Sequence, residues 1–155
     1  MTPLFKKLNF KDHIEIVVLN LPESFKNELN KMENETIITK SIKHTKKAQF
    51  VMVFVTTQHE IDSQIKHIAA LLHGDAILWI CYPKKTSKKY TCDFNRDTGW
   101  KVVGDFDLET VRQVAIDEDW STLRFRKSAY IKTITRRESY ALTANTKSRT
   151  TQKGK

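Results

Sequence analysis

A chain of 155 residues, 39% of them hydrophobic and with three Trp, eight Phe and four Tyr, can bury a core without help from disulfides or metal, and one domain is the default expectation. The 29% of charged residues demands a well-solvated surface, and no stretch approaches the ~18 apolar residues of a membrane span or the apolar run of a signal peptide, so a cytoplasmic chain without membrane insertion is expected. The net charge of +9 would fit nucleic-acid binding were it spread over the body, but from Ile131 onward seven basic residues stand against Glu138 alone, and a basic tail attracts polyanions without defining a site.

Residues 14–19, Ile-Glu-Ile-Val-Val-Leu, form a β-branched run suited to a strand buried on both faces. Pro22 opens a helix, and Phe25, Leu29 and Met32 share one stripe of it before an end near Glu33 and Asn34. Residues 36–42 predict a weaker strand at a sheet edge, followed by a connection rich in lysine, Lys43, Lys46 and Lys47. Residues 49–56 are nearly continuous in apolar side chains, which predicts a central strand beside the first. Thr57 with Glu60 makes a capping box for a helix whose apolar stripe is Ile61, Ile65, Ile68, Ala69 and Leu72, and Gly74 supplies its stop. Residues 76–82 read as another buried strand, which Pro83 ends. Cys81 lies within that run, where a thiol behaves as a small hydrophobe, so with Cys92 it fits a reducing compartment rather than a disulfide.

After a solvated loop over 84–89, Thr91 is expected to cap a short helix across 94–100. Residues 111–117 and 122–126 alternate well enough to form an antiparallel hairpin around the acidic turn Glu118-Asp119. Beyond Arg136 the apolar pattern fades into Thr, Ser, Lys and Arg, so residues 1–135 are expected to form the domain and 136–155 a basic, disordered tail.

Strands and helices alternating in this way, closed by a strand pair, predict a Rossmann-like α/β three-layer sandwich with a mostly parallel sheet ending in an antiparallel pair. Three runs carry a resemblance: 77–85 (Ile-Leu-Trp-Ile-Cys-Tyr-Pro-Lys-Lys), 115–125 (Ala-Ile-Asp-Glu-Asp-Trp-Ser-Thr-Leu-Arg-Phe) and 18–24 (Val-Leu-Asn-Leu-Pro-Glu-Ser). Together they resemble an uncharacterised bacterial family, domain of unknown function 3052, over roughly residues 9–135. That resemblance implies a fold and supplies no activity.

Binders of nucleotides and of S-adenosylmethionine on this scaffold use a glycine-rich turn after the first strand, because only Gly lets backbone approach the ligand. The turn over 20–24 contains no glycine, and Glu23 adds a carboxylate in the helix's first turn that would repel a phosphate. No cofactor is therefore expected. Phosphate-binding loop, nucleophile-elbow and zinc-protease strings are absent, and the five histidines, at 13, 44, 59, 67 and 73, have neither i, i+4 pairing nor cysteine partners at zinc spacing.

Two surfaces remain as candidates. The acidic corner of Asp117, Glu118 and Asp119 beside Trp120, with Arg124 on the following strand and Trp79 nearby, could hold a small anion or a hard cation. Turn carboxylates paired with neighbouring arginines, and a Trp plugging the sheet edge, would account for the same residues without a ligand. The basic set Lys84, Lys85, Lys88 and Lys89 with Tyr90 could track a phosphate backbone and stack a base, or serve as a solvated loop. The leading expectation is a non-catalytic Rossmann-like module that binds a macromolecular partner. The alternatives are an enzyme acting on a small anionic ligand near Asp117, Trp120 and Arg124, and a weak single-stranded nucleic-acid binder working through the lysines.

Overall fold

The structure, a computed structural model, describes residues 1–94 and 98–131; the tail expected over 136–155 lies outside them. It is a Rossmann-like α/β fold built on one six-stranded sheet. The chain opens with α1 (Pro3–Lys7), a helix that the sequence did not announce because five residues carry no periodicity. Its ends explain it: the Thr2 side chain accepts from Phe5 N, Pro3 sits in the first turn, and Lys6 and Lys7 lie in the last.

Strand β1 (Glu15–Leu19) leads through a 3-10 turn (Glu23–Phe25) into α2 (Lys26–Asn30), then β2 (Ile37–Thr39), β3 (Ala48–Phe54), α3 (Gln58–Leu71) and β4 (Leu72–Pro83). A short α4 (Lys101–Gly104) precedes β5 (Leu108–Ala115) and β6 (Trp120–Lys127). The strand order is β2-β1-β3-β4-β6-β5. The four strands from β2 to β4 pair in parallel, and β6 runs antiparallel to both β4 and β5. The sequence thus announced the parallel body, the edge position of β2 and the closing hairpin. Because β2 lies on one side of β1 and β3 on the other, the order reverses between β1 and β3.

The alternation of each strand divides the core into two. Val17, Leu19, Val51, Val53, Leu78 and Ile80 face Ile61, Ile65, Ile68 and Leu71 of α3 and Val103 of α4. Ile16, Val18, Phe50, Met52, Phe54, Trp79 and Cys81 face Phe5 of α1 and Phe25, Leu29 and Met32 in the α2 region. Helix α3 starts as its capping box requires: the Thr57 side chain accepts from Glu60 N, while Glu60 Oε1 accepts from Thr56 N and Thr56 Oγ1, both at 2.9 Å, and from Thr57 N at 3.2 Å. Glu60→Ala is expected to destabilise the fold by about 1–2 kcal/mol, measured by urea unfolding, because it strips those donors at once.

Three local expectations are corrected. The helix expected over 94–100 is not formed as drawn: Phe94 is irregular, 95–97 lie outside the described residues, and α4 begins only at Lys101. Gly74 does not stop α3, which ends at Leu71. It stands instead at φ 61° in the first residues of β4, where pairing with β3 slips from Ala48↔Leu72 to Phe50↔Ile77. Glycine's freedom at positive φ serves that bulge rather than a helix end. The strand expected over 36–42 shrinks to Ile37–Thr39, the short, blunt edge that discourages pairing with another sheet.

Candidate functional site

Ligands of open α/β sheets bind outside the carboxyl ends of the strands, where the strand order reverses. Here that point lies between the ends of β1 and β3. The residue that follows β1 is Asn20, at φ 58°. Asparagine is among the few side chains that adopt this left-handed conformation readily, so the chain takes the turn without a glycine. The Asn20 amide then lies across the gap: Nδ2 donates to Phe54 O and to Gln64 Oε1, both at 3.1 Å.

Beside this bridge opens a cavity of about 270 Å³ lined by Leu19, Asn20, Lys40, Ser41, Ile42, Gln64, His67 and Ile68. Lys40 follows β2 directly, at the position where dinucleotide-binding relatives of the scaffold place an acid for ribose hydroxyls. The wall is therefore cationic at one end, amide and hydroxyl in the middle, and aliphatic along Leu19, Ile42 and Ile68.

A second cavity, of about 380 Å³, lies at the end of β4, and Lys84, Lys85, Ser87, Tyr90, Cys92 and Asp93 are among its walls. The end of β3 separates the two. Asp93 grips that segment from its far side, with Asp93 N donating to Thr56 O at 3.4 Å and Asp93 Oδ1 accepting from Gln58 N at 2.7 Å. Burial, the largest cause, raises the pKa of the half-buried Cys92, and the charges of Asp93 and Glu60 add to it while a backbone hydrogen bond opposes. The thiol is thus held as the neutral, poorly nucleophilic form.

The two surfaces singled out in the sequence are brought side by side. Asp119 Oδ1 accepts from Ser87 Oγ at 2.8 Å, Lys84 N donates to Asp119 O at 2.8 Å, and the Tyr90 and Trp120 rings lie 4.9 Å apart. The acidic corner therefore anchors the lysine loop that walls the second cavity. Asp117 closes its own turn, its Oδ1 accepting from Asp119 N and Trp120 N at 2.8 Å. Lys88 and Lys89 are exposed on the loop, and Lys89 Nζ stands 5.8 Å from the Tyr90 ring centre.

Trp79 and Arg124 do not join this group. They face each other across β4 and β6, four residues along β6 from Trp120, or about 13 Å. Trp79 is fully buried, its Nε1 donating to Leu8 O at 2.9 Å. Reading by sequence missed Lys40, Gln64 and His67, which come together only through the crossover of β3. The one local signal was Asn20, a residue fit for left-handed backbone directly after a strand.

No family model and no curated protein matches the chain. Solved structures do. The fold is similar to that of a SAM-dependent methyltransferase from Aquifex aeolicus, with a TM-score of 0.51 and 10% identity over 80% of this chain and 87% of that one. It is similar also to magnesium protoporphyrin IX methyltransferase from Synechocystis PCC 6803, solved with bound SAM, with a TM-score of 0.50 and 13% identity over 80% of this chain and 74% of that one. At such identities the likeness is one of fold. The expectation of a non-catalytic module that binds a macromolecular partner is corrected by these matches, which are methyltransferases. Two parts of its physical premise are corrected as well: Asn20 takes the left-handed turn without a glycine, and the Glu23 carboxylate is 81% exposed, paired with Lys26 at 2.7 Å and not among the residues lining the cavity.

Proposed function

We propose that the chain is a methyltransferase-type enzyme working at the carboxyl edge of its sheet, with a donor seated beside Asn20 and an acceptor against the loop that follows β4. The observation that carries this reading is the cavity at the strand-order reversal, rimmed by a left-handed residue where the fold accepts an adenosyl cofactor. The chain's likeness in fold to solved methyltransferases supports it.

The residues present fit S-adenosylmethionine by their chemistry. Lys40 offers an ammonium to a carboxylate, Ser41 and the amides of Asn20 and Gln64 offer donors and acceptors to hydroxyls, and Leu19, Ile42 and Ile68 offer an apolar wall to a base. When bound, that cofactor supplies an electrophilic methyl group. Asn20 exchanges its hydrogen bonds to Phe54 O and Gln64 for bonds to the bound molecule. On the far side of β3, Lys84 and Lys85 orient an anionic acceptor, and Asp93, fixed by Gln58 N, accepts the proton of its nucleophile. Binding is expected to be modest, because Lys40 rather than an acid follows β2 at the place where a carboxylate would hold ribose hydroxyls.

The test is calorimetric titration with S-adenosylhomocysteine, the inert product of methyl transfer. The wild-type chain is expected to release heat, and Lys40→Ala to weaken binding about tenfold by removing the ammonium offered to the carboxylate. Absence of binding at millimolar concentration would sink the reading, and binding that ignores Lys40→Ala would move it out of this cavity.

A further inference from the structure

The β5–β6 hairpin places three arginines on the face of the sheet that carries Trp79. One of them has a partner: Arg126 donates from Nε and from a terminal nitrogen to the two oxygens of Asp75, at 2.8 and 2.6 Å. Among the described residues the other two do not. Arg112 on β5 and Arg124 on β6 are directly opposed in the ladder, so their side chains leave the same face with Cβ atoms about 5 Å apart. Like charges in that position are destabilising. No carboxylate among the described residues pairs with either. Arg124 is half-buried, and its Nε is shielded from water with no hydrogen-bond partner. Burial, and then the charges of Arg126 and Arg112, depress its pKa below the usual guanidinium range, with only Asp75 opposing. A buried N–H without an acceptor is costly, and repulsion from the exposed Arg112 adds a smaller, solvent-screened cost. Both fall if an anion sits between the two.

We propose that Arg112 and Arg124 form a binding site for a phosphate group in its dianionic form, separate from the carboxyl-edge cavities. Arg126 with Asp75 illustrates what a monoanionic carboxylate does on this surface: it satisfies one guanidinium fork. Two opposed forks ask for a second charge and more acceptor oxygens, which a phosphate or a phosphate monoester supplies. Arg124 thus keeps the anion-positioning part considered for it from sequence, with Arg112 as its companion in place of the acidic corner.

The full chain is titrated with sodium phosphate and, in parallel, with phenyl phosphate, each against sodium chloride at equal ionic strength, and thermal unfolding and calorimetry are followed. Phosphate at ten times its dissociation constant is expected to raise Tm by about 4 °C. Arg124→Lys, which keeps the charge and the aliphatic stem, is expected to weaken binding at least tenfold because the fork is lost. Arg112→Ala is expected to abolish the shift while leaving the ligand-free Tm unchanged or higher, since it removes a repulsion; an arginine with only a structural part would lower that Tm. Equal affinity for both compounds assigns free phosphate, and tighter binding of the ester assigns an organic phosphate monoester. A wild-type chain that does not respond, or an Arg112→Ala, Arg124→Lys double variant that responds as the wild type does, overturns the proposal. Both outcomes are independent of S-adenosylhomocysteine binding, which Arg112→Ala leaves intact.

Discussion

Trp79→Ala is expected to lower the unfolding free energy by about 4 kcal/mol, since truncating a fully buried aromatic side chain typically costs 3–5 kcal/mol. Trp79 has no exposed surface and lies on β4, with Met52 beside it on β3 and Arg124 on β6. Removing the indole leaves a void between the sheet and α1. It also strips Leu8 O of its donor, at the C-cap of α1, so a carbonyl is left unsatisfied in a dry place. Trp79→Phe keeps most of the volume and loses the N–H, so it is expected to cost about 1–2 kcal/mol. Urea unfolding at equal m-value separates the two. A loss below about 1.5 kcal/mol for Trp79→Ala would mean that α1 does not close over this ring as described. Against a net stability of about 5–15 kcal/mol for an ordinary domain, the alanine variant would stand near the limit of folding at 37 °C.

Alkaline solution is expected to destabilise the fold through Cys81. The thiol is fully buried and donates to Thr122 Oγ1 at 3.2 Å, while Thr122 Oγ1 itself donates to Ile80 O at 3.1 Å. Burial pushes its pKa from the ordinary 9.0 up to about 12, with the Thr122 hydrogen bond opposing. The unfolded chain therefore releases the Cys81 proton near pH 9 and the folded chain only near pH 12. Between these values the unfolded state binds fewer protons, so stability is fully present below pH 9 and falls as pH rises through the window. The loss reaches about 2 kcal/mol at pH 10.5. Urea midpoints of the wild type and Cys81→Ala between pH 8 and 10.5 isolate it from the lysines and tyrosines that both chains share. Parallel pH profiles would show the thiol to be solvated.

The parts of the fold legible in the sequence are those in which a face is buried over many residues. The runs that became β3 and β4 are apolar on both sides because both sides are covered, and α3 declared itself by a stripe and a capping box. Elements too short for a period escaped: α1 is held by Thr2 and Phe5, and α4 by four residues, so neither leaves a pattern longer than a turn. Gly74 was misread because a glycine after a helical stripe signals a helix end, whereas here the need for positive φ comes from a slip in β3–β4 pairing that no local string encodes. The candidate site was legible only in pieces. Asp119 and the loop of Lys84, Lys85, Lys88 and Lys89 were read as two separate surfaces, and hydrogen bonds from Ser87 and Lys84 to Asp119 join them. Asn20, Lys40 and the pair Gln64 and His67 on α3 belong to three stretches of chain that the reversal of strand order brings to one edge. The absence of glycine after β1 was read correctly as composition and wrongly as geometry, because asparagine can make the same turn.

The two faces of the sheet answer to different rules of substitution. On one side the fourteen-residue α3 packs its isoleucines and leucine on valine, leucine and isoleucine of the sheet, with Tyr82, Phe94, Trp100 and Phe125 forming a separate chain of ring contacts, and the branched aliphatic side chains exchange volume with their neighbours at small cost. The side under α1 and α2 has two five-residue helices for cover, so rings occupy the space that backbone does not. Phe5 lies within 6.4 Å of Phe10, Phe25 and Phe50, and Phe25 within 5.1 Å of Phe54, which meets Trp120 edge-on at the same separation. Each ring fixes the tilt of the next. Sequence drift on this side would have to proceed by paired replacements, and descendants of this chain should keep their aromatic positions long after their aliphatic ones have been reshuffled.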